Sequence, residues 1–436
     1  MGTNRIQDTE YRIQNTEYRI LNTEKLSIEY RIQKIGNRMY LASPKQVFVL
    51  SVIVVAIIGS NLFFVAPNNL PNPSASFTDP SSCRTCHRAI TDSFVRTAHY
   101  FDSRPADSNS IKGSFAEGKN RYVYNQFMDV VMVREGNTYL QSGRVNGMET
   151  IAAPFDVVIG SGRNGQSYFT WSDNQLFQLP VSYYTPARQW SNSPGFPNFF
   201  HFERLVAPNC LECHTTNTKV ISHETKEYDR SSIIYGITCQ RCHPGAAEHA
   251  AYQTANPREK VSKFVVNAAH LNRQLRMDAC ALCHSGLRTA LQPPFSYNVG
   301  DALEKYSVGD PVSNKADTLD VHGNQVGLLI SSKCYIKSAD MDCSTCHNVH
   351  NNQFKNPKLF SAKCVSCHSD VKHSSIEVKK IKALSDNCID CHMPVMASKK
   401  IQLNVKIGEQ LLPDYLRTHY ISIYKKASEE FIRQHK

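Results

Sequence analysis

The chain has 436 residues, enough for two or three ordinary domains, and sets 49 Lys and Arg against 38 Asp and Glu for a formal charge of +11. Such an excess would suit a nucleic acid or a membrane surface. No Lys/Arg run with interleaved aromatics occurs, however, so nucleic acid is not an expected partner.

Residues 9–15 return almost unchanged as residues 16–22, a seven-residue period. Its apolar members sit two apart (Tyr11 and Ile13, Tyr18 and Ile20), so no coiled-coil seam forms. Residues 1–38 therefore read as disordered or as a mis-assigned extension, with Met39 the expected initiator. Val47 to Val65 is a nearly continuous apolar run of 19 residues, preceded by Arg38 and Lys45 and followed by Ala66-Pro67. That run is long enough to cross a bilayer. Ser74-Ala75-Ser76 offers a small-residue cleavage site, so 39–76 reads as a membrane anchor (signal-anchor, transmembrane helix) or a cleaved signal. Either way the rest of the chain is expected on the periplasmic side of the inner membrane.

Cys83-Arg84-Thr85-Cys86-His87 is the first of seven Cys-x-x-Cys-His motifs. The others are Cys210/Cys213/His214, Cys239/Cys242/His243, Cys280/Cys283/His284, Cys343/Cys346/His347, Cys364/Cys367/His368 and Cys388/Cys391/His392. They use fourteen of the fifteen cysteines. Two thiols that close thioethers on a porphyrin, beside an imidazole that ligates its iron, are what c-type haem attachment needs. Zinc ribbons also pair Cys-x-x-Cys but need no histidine directly after the second cysteine. A thioredoxin-like pair would need one motif in a βαβ setting. The expected cofactor is therefore heme c, seven and covalently attached, with the macrocycles forming much of the core. Propionates and iron would bring the charge to roughly +4 or −3, so net charge identifies no partner.

After the first motif, Ile90, Phe94, Val95 and Ala98 follow helical spacing toward His99. Residues 77–112 form a first haem segment. A gap of 122 residues then separates His87 from Cys210, and a β-rich insertion over 113–200 fills it. Met128 to Val133, Glu135-Gly136-Asn137 and Thr138 to Leu140 read as strand, turn, strand. Ser167 to Trp171, Ser172-Asp173-Asn174 and Leu176 to Val181 repeat the pattern. Gly160 to Gly165 lacks the Lys-Ser/Thr of a phosphate loop and reads as a loop between strands. From 201 to 402 the motifs follow at gaps of 24, 36, 58, 16 and 19 residues, giving a six-haem domain. Residues 403–436 supply a distal histidine and a terminal helix. The expected fold class is mainly α and irregular, a haem-packed core with short helices, plus the β-rich insertion.

Ten histidines lie outside the motifs. The leading candidates for second axial ligands are His99, His249, His350 and His419, followed by His270, His322 and His373; His201 ranks lower, and His223 and His435 read as surface residues. His350 lies only three positions after His347, a reach of roughly 10 Å against the roughly 12 Å between Cα atoms across one iron, so His350 should serve a neighbouring iron. His99, twelve residues beyond His87, would lie roughly 18 Å along a helix and likewise overshoots its own motif. Bridging ligands of this kind would hold macrocycles close, as electron tunnelling requires. Cys334 reads as a buried, inert thiol.

The segments Gly236 to His243 with His249 downstream, Ala279 to Gly286, Cys343 to His350 and Cys388 to Pro394 resemble those of periplasmic multihaem c-type cytochromes with paired CxxCH motifs, over about residues 80 to 420. The resemblance implies distal-ligand roles for His249 and His350. The function expected is electron transport through seven closely spaced, mostly bis-His haems. The expected partners are a membrane donor (a quinol-oxidising protein or another cytochrome) and a periplasmic or extracellular acceptor, with oligomerisation open. One alternative is a haem enzyme acting on a small nitrogen or sulfur compound at one open iron. Another is a subunit of a haem filament.

Overall fold

A computed structural model describes residues 77, 79–309, 319–370, 373, 386–404 and 411–435. Contacts divide the chain into Met1–Asn69 and Leu70–Lys436, and the described residues all lie in the second unit. The expectations for residues 1–38 and for the Val47 to Val65 run fall outside them.

Helix α1 (Arg88–Phe94) comes after a 3-10 turn, Pro80–Thr85, whose Asp79 cap accepts the Ser81 amide at 2.8 Å. The apolar spacing that predicted helix through Ala98 is cut short. The Thr97 hydroxyl donates to the Phe94 carbonyl at 2.7 Å, and the chain turns there toward His99 and strand β1 (Ser103–Pro105).

Strands β2 (Arg121–Val123), β3 (Met128–Glu135), β4 (Thr138–Val145) and β5 (Met148–Pro154) form a four-stranded antiparallel sheet in that order. Asn146 and Gly147, with φ of 51° and 80°, make the tight turn that joins β4 to β5. The inward face of β3 carries Val130 and Met132, both fully buried among Tyr122, Tyr124, Phe155, Tyr168 and Trp190. Asp129 is buried on the same strand and is held by the guanidinium groups of Arg121 and Arg144.

The larger sheet begins with β6 (Val157–Ile159), β7 (Gly165–Ser172), β8 (Gln175–Gln178), β9 (Val181–Tyr184), β10 (Gln189–Asn192) and β11 (Arg204–Leu205). Helix α2 (Pro208–His214) leads into β12 (Thr215–Asn217), β13 (Val220–Ser222), β14 (Glu227–Tyr228) and β15 (Ile234–Tyr235). The path β1-β6-β7-β8-β14-β13, with β9, β10 and β11 attached, makes nine strands. Its centre is buried on both faces because side chains alternate. Val158 and Tyr168 enter the first core, while Val157, Ile159 and Phe169 enter a second core with Leu176, Val206, Leu211 and Tyr228. Leu211 lies inside the second motif, so the sheet seats that motif directly.

Short helices dominate the chain beyond β15: α3 (Cys239–Cys242), α4 (Ala246–Ala255) and α5 (Arg273–His284). The small pair β16 (Arg288–Ala290) and β17 (Ser307–Gly309) precedes α6 (Gln325–Ile330), α7 (Lys333–Lys337), α8 (Pro357–Val365) and α9 (Ile389–His392). A hairpin, β18 (Val395–Asn404) with β19 (Leu411–Arg417), and helix α10 (Lys425–Gln434) complete the described chain. A third core gathers Met277, Ala281 and Leu282 of α5 with Tyr297, Val299, Leu303 and Val326.

The expected mainly α, haem-packed fold is therefore corrected. The described residues form a mixed α/β fold with five sheets, and its principal side-chain cores are built on strands. The expectation failed where strands of two or three residues, such as β12 to β15, pair with partners that no local sequence period reveals.

Candidate functional site: paired imidazoles beside cysteine turns

Each described motif occupies a tight turn or a short helix. The His87, His243, His347, His368 and His392 amides donate to the carbonyl of the first cysteine of their own motif at 2.8–3.1 Å. The motifs at Cys210 and Cys280 lie within α2 and α5. In such a turn positions i, i+3 and i+4 share one face, so both thiols and the imidazole point the same way.

Four motif imidazoles face an imidazole from elsewhere in the chain. Ring centroids are 6.4 Å apart for His87 and His249, 6.2 Å for His243 and His350, 6.1 Å for His284 and His99, and 6.1 Å for His347 and His419. Neither His350 nor His99 faces the imidazole of the motif that precedes it in sequence. The chain bends of α1 and of the fifth motif carry them to their partners, and the Ser93 hydroxyl donates to the His350 carbonyl at 2.8 Å to join the two segments. Gly236, with φ of 66°, lies against the Tyr100 carbonyl, and the Ile237 amide donates to the His99 carbonyl at 2.8 Å. A side chain at 236 would push His99 away.

The rings are oriented through Nδ1. His243 Nδ1 bonds the Val266 carbonyl at 3.0 Å, His249 Nδ1 the Lys263 carbonyl at 3.1 Å, and His419 Nδ1 the Arg417 carbonyl at 3.3 Å. Donation there fixes the tautomer and leaves Nε2 with its lone pair. Desolvation among protein atoms, then a neighbouring imidazole, lowers the proton affinity of His99, His347 and His350 and pushes His419 down to about 4. Desolvation lowers His284 as well. These rings are thus held neutral, the form that binds metals, although His284 and His347 keep exposed edges.

The thiols also meet across motifs. Cys83 contacts Cys239, Cys213 contacts Cys283, Cys280 contacts Cys343 and Cys364 contacts Cys388, and all fifteen cysteines are free. Burial raises the thiols of Cys242, Cys346 and Cys391 and takes Cys364 to about 11.

The remaining candidates are arranged differently. His214 Nδ1 bonds the Asp102 carboxylate at 2.9 Å, and His322 Nδ1 bonds the buried Asp414 at 3.0 Å. His392 Nδ1 bonds the Ser422 carbonyl at 2.9 Å. His270 ends an exposed 3-10 turn, and His201 stacks on Phe196 at 4.8 Å. His223 and His435 are exposed, and His373 is half-buried. Cys86, Cys210 and Cys367 are exposed, and Cys334 is half-buried on α7. Asp102, Asp342 and Asp414 were missed in the sequence because their partners are remote. Asp102, for example, stands 112 positions from His214.

Several expectations are corrected by this geometry. Among the described residues no group of three or more His, Cys, Asp or Glu could hold a metal ion, and the imidazoles meet in four pairs. The reading of seven haem irons in one conducting chain, with heme c at all seven motifs, is corrected to that extent. Among the described residues no helix is long and apolar enough to cross a membrane. The membrane anchor, the membrane donor and the inner-membrane location have no described helix behind them, and the Val47 to Val65 run on which they rested lies outside the described residues.

A family model described as cytochrome c554 and c-prime matches residues 199–244 and 342–411. The match spans about a quarter of the chain, which corrects the broader resemblance drawn over residues 80 to 420. No curated protein matches the chain. The crystal structure of the outer cell wall cytochrome OcwA aligns at a TM-score of 0.49 and 14% identity over 81% of each chain.

Proposed function

We propose that the four imidazole pairs, with the adjoining Cys-x-x-Cys thiols, would hold an iron porphyrin, which would make the chain a redox carrier at these sites. This is narrower than the seven-site relay and invokes no membrane donor. One observation carries it: four pairs, each joining a motif histidine to a distant one, share a separation of 6.1–6.4 Å. Two metal–imidazole bonds of about 2 Å, added to the distance from each nitrogen to its ring centre, give roughly 6 Å. Further support is the printed name of the family matched over residues 199–244 and 342–411, a cytochrome.

His87 with His249, His243 with His350, His284 with His99, and His347 with His419 would hold the group. The Val266, Lys263 and Arg417 carbonyls hold three of these rings in the orientation that presents Nε2. When bound, such a group supplies reversible one-electron exchange.

Peptide mapping of the full chain, matured with porphyrin available, tests the reading. Adducts are expected on Cys83/Cys86, Cys239/Cys242, Cys280/Cys283 and Cys343/Cys346, with low-spin iron by electron paramagnetic resonance. Replacing His249 by Gly should turn one site high-spin. Unmodified thiols at these four motifs would overturn it.

A further inference from the structure

The loop that follows α4 supplies the ring partners of two different imidazole pairs. Its Lys263 carbonyl accepts the His249 Nδ1–H at 3.1 Å, and its Val266 carbonyl accepts the His243 Nδ1–H at 3.0 Å. His249 faces His87, whereas His243 faces His350. Between the two carbonyls stands Phe264, with φ of 64°. A bulky side chain rarely adopts that left-handed conformation, which persists only where the surroundings impose it.

The surroundings do so from both flanks. Toward α4, the Phe264 ring meets Tyr252 edge-on with centroids 5.3 Å apart, and the Lys263 ammonium donates to the Tyr252 hydroxyl at 3.0 Å. The Gln253 side chain donates to the Val261 carbonyl at 3.2 Å. Toward the third motif, the Val266 amide donates to the carbonyl of Pro244, the residue after His243, at 3.1 Å, and the Val266 side chain packs on the third core. The backbone at Phe264 thus joins a carbonyl directed at the helix of His249 to one directed at the turn of His243.

A ring held through Nδ1 presents Nε2 in a set direction, and here two such rings share one strained support. We propose that Phe264 is a positioning residue whose left-handed backbone couples the two pairs, so that the orientations of His249 and His243 are gained or lost together. The inference rests on the porphyrin reading for what the rings would hold. It adds that the His87/His249 and His243/His350 sites depend on each other, through a packed element that both rings bias. His419, held by the Arg417 carbonyl outside the loop, is the internal control.

Nitrogen-15 resonance of the full chain without added porphyrin, carrying labelled histidine in mildly alkaline buffer, tests the coupling. Wild type should show His243 and His249 both as the Nδ1–H tautomer. Phe264→Val, whose branched Cβ resists the left-handed region, should lose both Nδ1–H signals; Phe264→Gly, which enters that region freely, should keep both. The His419 signal should hold in each variant. Loss of one signal alone in Phe264→Val, loss of neither, or loss of both in Phe264→Gly would overturn the proposal. Should Phe264→Val fail to fold, Tyr252→Ala decides, since it removes the ring against which Phe264 packs: the His243 signal is expected to shift with that of His249, and a shift of His249 alone would sink the coupling. Because the rings are observed without porphyrin, failure here leaves the porphyrin reading intact, while bare thiols in the peptide mapping would defeat that reading without moving the ring signals.

Discussion

The strand-rich region from β2 to β10 and the motif-rich region from α3 to α9 reach order by different means. The first buries large side chains completely: Tyr124, Tyr168, Val130, Val158 and Leu179 are each no more than 2% exposed. The second has one smaller core, of Met277, Ala281 and Leu282 with Tyr297, Val299, Leu303 and Val326, and buries little elsewhere. Helices α4 and α7 bury no residue and α8 buries only Ser361, while Leu287, Val261, Ile336 and Phe354 remain 53–84% exposed. Outside that core its shape is held by caps, ring-nitrogen bonds and buried ion pairs. A region with that balance gains stability from whatever its cysteine turns bind, whereas the strand-rich region stands on its own packing.

Core truncation in the strand-rich region should have the largest effect. Trp190 is 4% exposed, donates its indole N–H to the Ser114 carbonyl at 2.9 Å, and meets the rings of Phe115, Phe155, Tyr168 and Tyr183. Trp190→Ala should cost about 3–5 kcal/mol in urea unfolding; a loss near zero would break the contrast. In the motif-rich region the largest effect should come from a charge. Asp342 is 3% exposed, binds Arg276 of α5, and caps the Cys343–Thr345 turn through the Ser344 and Thr345 amides. Arg276→Ala should cost about 3 kcal/mol by leaving that carboxylate without its cation.

The pH dependence sharpens the same point. Burial alone would raise the Asp342 carboxyl, but the Ser344 hydroxyl and Arg276 outweigh it and hold the group below the usual carboxylate range. A group depressed on folding stabilises above its unfolded value, about 4, and loses that contribution as pH falls through the folded one. Wild type and Asp342→Asn should therefore differ in melting temperature at neutral pH and converge on acidification. Divergence toward low pH would contradict the assignment.

Smaller effects are expected at a cap and at an exposed side chain. The Asn272 side chain accepts the Leu275 amide at 3.0 Å at the start of α5, and Asn272→Ala should cost about 1 kcal/mol. Leu287→Ala, at a side chain 84% exposed, should change chemical stability by less than about 0.5 kcal/mol in the unloaded chain. A larger loss would mean that this apolar surface is already covered.

Legibility in the sequence tracked the range of the interaction. The alternation of Met128 to Val133 and the turn at Gly136 could be read because strand, turn and partner are contiguous, and β3 pairs with β4 over Met128–Glu135. The cysteine turns could be read because i, i+3 and i+4 lie within one turn. The strands from β12 to β19 could not, since each is short or pairs without a local period. Nor could the carboxylates behind His214 and His322, whose partners are brought in by the tertiary fold. Helix α1 failed for a narrower reason: Thr97 competes for the Phe94 carbonyl and ends a pattern that apolar spacing alone would extend.

The double-sided burial of β6 and β7 carries one more consequence. Val158 on one face and Leu211 behind the other belong to two cores divided by a single layer of backbone. Neither core can open without exposing that layer. Amide hydrogens of β6, β7 and the helix of the second motif should therefore exchange with solvent deuterium as one cooperative unit, slower than those of α4 or α7. The second cysteine turn would then share the lifetime of the most persistent part of the molecule, while its sisters open on a faster clock.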